Sequence, residues 1–429
     1  MKKMKEMKEM KIMKEMTGIT VGALRSLFSF LSLFSFLSFS LIAQTGITSL
    51  TPPYIDDAPI GDYWTRLRFW QGAPNIEIAP NGRLWITWYS GGMGENEGFN
   101  YQLLVTGNDD GYTWSEPVAV FDAGRQLPGG KTGKGHLWLE KSKGRLWWFV
   151  NRRMDVPGED SQTNWGFYTD NPDKMSPRWK TGIVFGGYGV SLNRETELSD
   201  GTILHPVDSP TGQEAHIYRF EECYAPMLKI GTVPINNTDA TEPMLVERKD
   251  GSLMLLARTS SRIAVCYSYN KGVTWTAPAD FPLAVGINTR SYIGKLASGN
   301  LLLIVNDSPT TQRNKMTALL SEDDGKTWPY QLVLDERDEV SYPDAVESSN
   351  GFIYAVYDRG RYTHTMQEIL MAKFTEADIK AGRLVDAGSR LKQVVNSLNQ
   401  KGGGVDYTGE AQDLQQASKD FLEILKENK

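Results

Sequence analysis

DGSLMLLAR, Asp250 to Arg258, is the stretch that decides the fold. Asp-Gly makes a tight turn that needs a positive φ, and the apolar run after it closes on a charged residue. TEPMLVERK, from Thr241 to Lys249, supplies an apolar run before the turn, so the two together read as a hairpin. Five further stretches repeat the pattern: NGRLWITWY (Asn81–Tyr89), KGRLWWFVN (Lys143–Asn151), DGTILHPVD (Asp200–Asp208), SGNLLLIVN (Ser298–Asn306) and NGFIYAVYD (Asn350–Asp358). The glycines Gly82, Gly144, Gly201, Gly251, Gly299 and Gly351 follow one another at intervals of 62, 57, 50, 48 and 52 residues. A hairpin period of this size marks a β-propeller, in which each repeat is one small sheet that cannot bury its faces alone. The expectation is an all-β chain with six blades.

A second turn motif recurs further along three of the repeats. GNDDGYTW (Gly107–Trp114), SYNKGVTW (Ser268–Trp275) and SEDDGKTW (Ser321–Trp328) share the pattern Ser-x-Asp-x-Gly-x-Thr-Trp, with Gly for Ser in the first and Asn for Asp in the second. Short polar side chains bond turn amides, Gly supplies the unusual φ, and Trp wedges between sheets. This Asp box is a folding device. YTDNPDKMSPRW (Tyr168–Trp179) reads as a degenerate copy. Residues from about Gln44 to Trp64 are expected to close the ring by pairing with the last blade beside Glu368–Phe374, which would cover an exposed edge. Beyond Thr375 the chain turns polar and helical in pattern (ADIKAGRL, SRLKQVVNSLNQ and DLQQASKDFLEIL around Gly402–Gly404). The propeller is therefore expected over 45–375, with a short helical C-terminal extension over 376–429.

The N-terminus reads as an export signal. Six Lys and three Glu precede Met16, Arg25 follows, and no charge appears again until Asp56. LFSFLSLFSFLSFSLIAQ, Leu27 to Gln44, has the apolar core of a secretory signal with small residues near Ala43, so residues 1–44 are expected to be removed and the protein secreted or periplasmic, without stable membrane insertion afterwards. An uncleaved membrane anchor is the alternative reading. Seven cations and three anions leave with that segment, taking the net charge from −6 to −10. Such an acidic chain excludes a nucleic-acid binder, which needs a basic face. Two cysteines, Cys223 and Cys266, exclude a disulfide framework; pairing and two buried thiols both stay open. No zinc spacing occurs among four His and two Cys, and no phosphate loop or dinucleotide fingerprint appears, so neither cofactor nor metal is expected.

The repeat register locates the site. Inner strands of a propeller converge on its axis, so equivalent strand ends gather in one cleft. Nine residues before each turn glycine stand Ala73, Gly135, Leu192, Glu242, Arg290 and Tyr342; seven after it stand Tyr89, Asn151, Asp208, Arg258, Asn306 and Asp358. The second set is polar in every blade, as the lining of a central cleft would be, although each member alone also suits a solvated strand end.

Asp boxes, six repeats and the runs TEPMLVERKDGSLMLLAR and VSYPDAVESSNGFIYAVYDRGR together resemble the sialidase (neuraminidase) superfamily of secreted glycosidases, over roughly Arg66 to Phe374. In that family a Glu precedes the fourth-blade turn and an Arg ends the following strand, as do Glu242 and Arg258, 16 residues apart. The family's third arginine stands eight residues before the last Asp-box Ser, the place of Arg313, and its nucleophilic Tyr nine before the last turn glycine, the place of Tyr342. The first blade departs from the pattern: where the family has Arg-Ile-Pro, this chain has Gly72-Ala73-Pro74. Arg66, Arg68, Arg194 and Arg290 are candidates to replace the missing arginine; Arg152, Arg153, His136, Asp358, Arg359 and Arg361 are further charged residues near the expected rim.

What the resemblance implies is chemically coherent. A sialic acid carries a carboxylate on its anomeric carbon that would repel a carboxylate nucleophile, whereas a phenol arrives uncharged. Tyr342 would be that nucleophile and Glu242 its base, since a phenol near pKa 10 needs one. Arg258, Arg313 and Arg290, with Arg68, Arg194, His136 and Asp358 nearby, would hold the sugar carboxylate through paired hydrogen bonds. Glu95 or Glu97, in the glycine-flanked loop SGGMGENEGFN, would protonate the leaving oxygen. The implied partner is a sialoside or another acidic glycan. Two alternatives stay open: a glycosidase or lyase on another acidic sugar such as a uronate, and a glycan-binding propeller without catalysis.

Overall fold

The computed structural model describes residues 52–398 apart from 93, 97, 109, 128, 155–162, 186–191, 221–226, 237, 239, 284–288 and 363–366. The expected export signal, the triple glycine and the last helical pattern lie outside the described residues.

Six four-stranded antiparallel sheets follow one another along the chain, each with its strands in sequence order. Blade 1 holds β1 (Trp70–Ile78), β2 (Leu84–Gly91), β3 (Tyr101–Gly107) and β4 (Ala119–Phe121). Blade 2 holds β5 (Gly130–Glu140), β6 (Arg145–Met154), β7 (Thr163–Thr169) and β8 (Lys180–Phe185). Blade 3 holds β9 (Thr196–Glu197), β10 (Ile203–Asp208), β11 (Glu214–Phe220) and β12 (Leu228–Pro234). Blade 4 holds β13 (Met244–Glu247), β14 (Leu253–Arg258), β15 (Ile263–Ser268) and β16 (Ala279–Asp280). Blade 5 holds β17 (Tyr292–Lys295), β18 (Leu301–Asn306), β19 (Asn314–Ser321) and β20 (Tyr330–Asp338). Blade 6 holds β21 (Val340–Glu347), β22 (Ile353–Arg359), β23 (Glu368–Phe374) and β24 (Arg390–Ser397). The chain is thus the all-β, six-bladed propeller that its repeats imply.

All six turn glycines join the first and second strands of their blades, with φ between 60° and 89°. A Cβ at Gly82, Gly144, Gly201, Gly251 or Gly351 would meet no atom within 4 Å, so backbone conformation alone selects glycine there. Each Asp box joins a third strand to the outermost one. Ser321 Oγ accepts from Gly325 N at 2.8 Å and Asp323 Oδ1 from Thr327 N at 2.8 Å; Ser268 and Asn270 repeat the pair at 2.9 Å each. Trp114, Trp275 and Trp328 enter the apolar clusters that fill the spaces between blades. The boxes share the end of the ring that carries the hairpin turns: Asp324 accepts from Lys249 N at 2.9 Å, and Asp173 of the degenerate copy accepts from Asn81 N at 3.0 Å. The starts of the inner strands and the ends of the second strands therefore lie at the opposite end.

Ring closure differs from the sequence expectation. β23 is covered by β24, from the C-terminal segment; of the expected closing stretch, residues 44–51 lie outside the described residues, and in the described part, 52–64, Asp56 bridges Val120 in β4. The helical expectation for the tail holds at Glu376–Ala381, where Thr375 and Asp378 form a capping box and Gly382 closes the helix at φ 66°. RLKQVVNS then returns as a strand because the short helix turns the chain back along the open β23 edge, and Val395 enters the core between blades 6 and 1. The propeller thus extends past 375 to at least Ser397. Blades 1 and 6 are joined by side chains instead of a shared strand: Gln71 N donates to Gln367 Oε1 at 2.8 Å and Ile76 N to Asp344 Oδ2 at 2.9 Å.

Candidate active site

Three inner strands present Xaa-Pro at the same register: Ala73-Pro74, Glu242-Pro243 and Tyr342-Pro343. Proline cannot donate to the ladder, and β1 and β21 bulge at these dipeptides. Ala73, Glu242 and Tyr342 all take positive φ, 55°, 40° and 56°. Side-chain residues in that region cost about 1–3 kcal/mol and persist only where their surroundings hold them. Arg290 does much of the holding. Its guanidinium donates to the carbonyls of Leu192 at 2.9 Å, Pro74 at 2.9 Å and Tyr342 at 3.1 Å, tying three blades together at the axis.

Tyr342 is buried, and its hydroxyl donates to the Glu242 carboxylate. Arg258 Nη1 lies 3.2 Å from Glu242 Oε2 and donates to Tyr342 Oη at 3.4 Å. Burial and the adjacent Glu242 raise the Tyr342 pKa, while Lys134 and Arg361 work the other way. Burial opposes ionisation of Glu242 too, but Arg258 and Lys134 outweigh it and hold the carboxyl below its usual range. An ionised base thus already accepts the hydrogen of a phenol, the arrangement that generates an oxygen nucleophile.

The face of the Tyr342 ring is covered by guanidinium groups, Arg361 at 4.1 Å and Arg313 at 5.5 Å, and both donate to Tyr362 Oη, at 3.0 and 3.2 Å. Gly72, where the family arginine is missing, explains how Arg361 reaches this place: a Cβ on Gly72 would lie 2.2 Å from Arg361 Cδ. Arg361 enters from blade 6 through the space that any side chain at position 72 would fill. Asp358 accepts from Ala73 N at 2.7 Å and lies 3.8 Å from Arg361 Nε, supporting that approach. A cavity of about 460 Å³ opens beside the two arginines, walled also by Ser341, Tyr362, Asp338 and Glu339.

Several expected site residues lie elsewhere. Arg290 is committed to backbone, as above. Arg194 donates to Ile76 O at 2.5 Å and to Asp344 Oδ2 at 2.6 Å, so it serves as an inter-blade tie. Arg68 is held by Thr65 Oγ1 at 2.8 Å and Asn396 Oδ1 at 2.9 Å. His136 is fully buried against Glu195, with Nε2 to Oε2 at 3.2 Å. Arg68, Arg194 and Arg290 were expected to replace the missing first-blade arginine and His136 to lie near the rim; each is spent on joining blades. Glu97 lies outside the described residues, whereas Glu95 reaches the site, 2.8 Å from Lys134 Nζ.

The polar ring divides in the same way. Tyr89 donates to Thr132 O at 2.9 Å, Asp208 accepts from Thr241 N at 2.9 Å, Asn306 donates to Val340 O at 2.9 Å and Asp358 accepts from Ala73 N. Each of these reaches the inner strand of the next blade, so the ring is chiefly a belt between sheets. Asp208 in addition braces Thr241, the neighbour of Glu242, and burial lifts its pKa to about 6.

Sequence reading missed Lys134. β5 bulges between Thr132 and Gly135, and a Cβ on Gly133 would lie 2.3 Å from Asn151 Oδ1, so Gly-Lys-Gly at the head of an inner strand was the available signal. It also missed a donor set assembled from distant strands. His136, Glu195 and His205 bring one ligand atom each within 4.8 Å of one another, fully buried, with His205 Nδ1 3.1 Å from Glu195 Oε1. Both Glu195 oxygens already face imidazoles, which by charge first and hydrogen bonding second hold this carboxyl at about 2 against the upward push of burial. The set would fit a divalent ion by chemistry, and it is already complete as a hydrogen-bonded triad.

A ring of six sheets with an axial Tyr–Glu–Arg cluster beside further arginines defines a propeller with a charged cleft. The chain belongs to the BNR repeat-like domain family, which matches residues 82–355. No curated protein is similar enough in sequence to count as a relative. Among solved structures, the intramolecular trans-sialidase from Ruminococcus gnavus is similar at a TM-score of 0.60 and 13% identity, over 75% of this chain and 97% of that one. The Hadza microbial sialidase Hz136 has a TM-score of 0.57 and 18% identity, over 69% of this chain and 66% of its own. A protein of unknown function from Dyadobacter fermentans has a TM-score of 0.53 and 14% identity, over 73% and 95%. At these identities the likeness shows a sialidase-like fold. Among the described residues no helix is long and apolar enough to cross a membrane.

Proposed function

We propose that the chain is an exported glycoside hydrolase of the sialidase type, cleaving a terminal carboxylate-bearing sugar with retention. The observation that carries this reading is the hydrogen bond from Tyr342 to an ionised Glu242 that is itself fixed by Arg258. Tyr342 Oη would attack the anomeric carbon as its proton passes to Glu242, and Glu95 would protonate the departing oxygen. Water, activated by Glu95, would then hydrolyse the tyrosyl–sugar bond. Arg361, with Lys134 and Arg313 also over the Tyr342 ring, would hold a carboxylate on the reacting carbon, and neutral phenol chemistry avoids repulsion from it. Release of fluorophore from a 4-methylumbelliferyl sialoside tests the mechanism: Tyr342→Phe should lower kcat by at least about a thousandfold with the fold intact. Unchanged turnover would refute it.

The relocated arginine favours a second reading of the same cleft. With Gly72 in the first blade and Arg361 supplied from the sixth, the anion is held from a different side, as suits another acidic sugar such as a uronate. A panel of uronate-containing oligosaccharides that yields products while sialosides do not would select it.

A further inference from the structure

Four of the cations around Tyr342 can be traced to partners. Arg258 faces Glu242, Arg290 holds three carbonyls, and Arg313 and Arg361 share Tyr362 Oη. The fifth, Lys134, has its Nζ 5.1 Å from the Tyr342 ring and 2.8 Å from Glu95 Oε1; the other Glu95 oxygen lies 3.9 Å from Arg361 Nη1. One carboxylate therefore spans two cations that come from blades 2 and 6. The loop carrying it is built to hold it there. Buried Asn100 accepts from Gly92 N at 2.6 Å and donates to Gly94 O at 2.8 Å, and a Cβ on Gly91 would lie 2.5 Å from Phe99 O.

Resting on the reading above, we propose that Lys134 and Arg361 receive the substrate's carboxylate, and that Glu95 keeps their place in the free protein until the substrate displaces it. Glu242 lies 3.9 Å from Lys134 and Asp358 3.8 Å from Arg361, but each of these anions is also engaged by other groups, whereas Glu95 bridges the two buried cations and offsets the cost of holding them close together in the empty cleft. A substrate carboxylate has the same charge and the same oxygen pair, and it competes for the same two cations. Once displaced, Glu95 stands beside a second carboxylate and takes a proton from solvent, which it then passes to the leaving oxygen as that C–O bond breaks and the Tyr342 Oη–C bond forms. Binding and protonation are reciprocally linked: the anion favours protonated Glu95, and protonated Glu95 favours the anion.

The charged and titratable groups facing Glu95 are Lys134 from β5, Arg361 from the segment after β22, Arg313 from the approach to β19, Tyr342 of β21 and Tyr89 of β2, with Glu242 ahead of β13 on the far side of Lys134. Burial pushes the Glu95 carboxyl up, but Lys134 and Arg361 outweigh it and hold it at about 2. In the free protein it is thus a counter-ion and cannot serve as an acid at neutral pH.

Calorimetric titration of the full chain with N-acetylneuraminate and with glucuronate, in two buffers of different ionisation enthalpy at pH 6, counts the protons exchanged. Wild type should take up close to one proton per sugar acid bound, and its affinity should rise as pH falls from 7 to 5. Glu95→Gln should take up none and bind the same acid about tenfold more tightly while losing turnover; Lys134→Met should bind about tenfold more weakly. Absence of proton uptake by wild type, or equal or weaker binding by Glu95→Gln, overturns the proposal. Turnover of a sialoside without proton uptake removes this inference and leaves the proposed function standing. Failure of wild type to bind either acid removes both, and the wild-type measurements hold even if a variant does not fold.

Discussion

Gly72 and Arg361 form a reciprocal pair in which one residue's missing side chain is the other's site. Methylating position 72 would drive a Cβ into the Arg361 stem, so Gly72→Ala should destabilise the fold by about 1–3 kcal/mol in thermal unfolding and raise KM for the carboxylate substrate. The sharper test exchanges the two. Arg361→Ala should lower kcat/KM by about a hundredfold, the cost of one charge-assisted pair to a carboxylate, and Gly72→Arg combined with Arg361→Ala should recover at least about tenfold of that. A double variant no better than Arg361→Ala would show that the guanidinium at this spot does not act on the substrate. Tyr342 and Glu242 differ from these two in being held at positive φ, where the backbone resists them and Arg258 and Arg290 keep them in place.

At the scale of strands and turns, the two ends of each blade do different work, and this separates stability from activity. Ser321→Ala removes the acceptor for Gly325 N in an Asp box at the end away from the cleft; it should cost about 1 kcal/mol in denaturant unfolding and leave kcat unchanged. Asp208→Ala, at the cleft end, strips Thr241 N of its partner beside strained Glu242 and should lower both stability and kcat. Equal effects of the two on kcat would contradict the division. The hairpins and boxes were legible in sequence because each is a local device: Asp-Gly or Ser-x-Asp-x-Gly specifies its turn within a few residues. The strand ends were misread because a polar group at the tip of an apolar strand looks the same whether it faces a ligand or the amide of the next blade. Tyr342, Glu242 and Arg258 could be placed together from register, but Arg361 and Lys134 could not, since a bulge and an absent side chain aim them. β24 was hidden for a similar reason. Of its residues only Val395 is buried, so RLKQVVNS lacks the apolar alternation that announces a strand.

Across the whole molecule, an acidic chain of net charge −6 concentrates arginine and lysine around one axis, and most of those charges are neutralised internally. Blades are thus joined by buried ion pairs as well as by apolar wedges, which makes the ring sensitive to acid at defined points. The junction of blades 2 and 3 is the clearest. Glu195 is fully buried between His136 and His205, and these imidazoles, by charge first and hydrogen bonding second, hold its carboxyl at about 2 although burial alone would raise it. Because its folded pKa is depressed, the stabilisation is complete above the unfolded value of about 4.5 and is lost as pH falls from there towards 2. Glu195→Gln keeps the shape and cannot titrate, so its unfolding free energy should fall less steeply than that of wild type over this interval. Other depressed carboxyls such as Glu95 and Glu242 are common to both proteins and cancel in the comparison. Parallel curves for the two proteins between pH 4.5 and 2 would mean that the buried triad carries no net charge-dependent stability, and that the junction is held by the stacked His136, His205 and Phe149 rings alone.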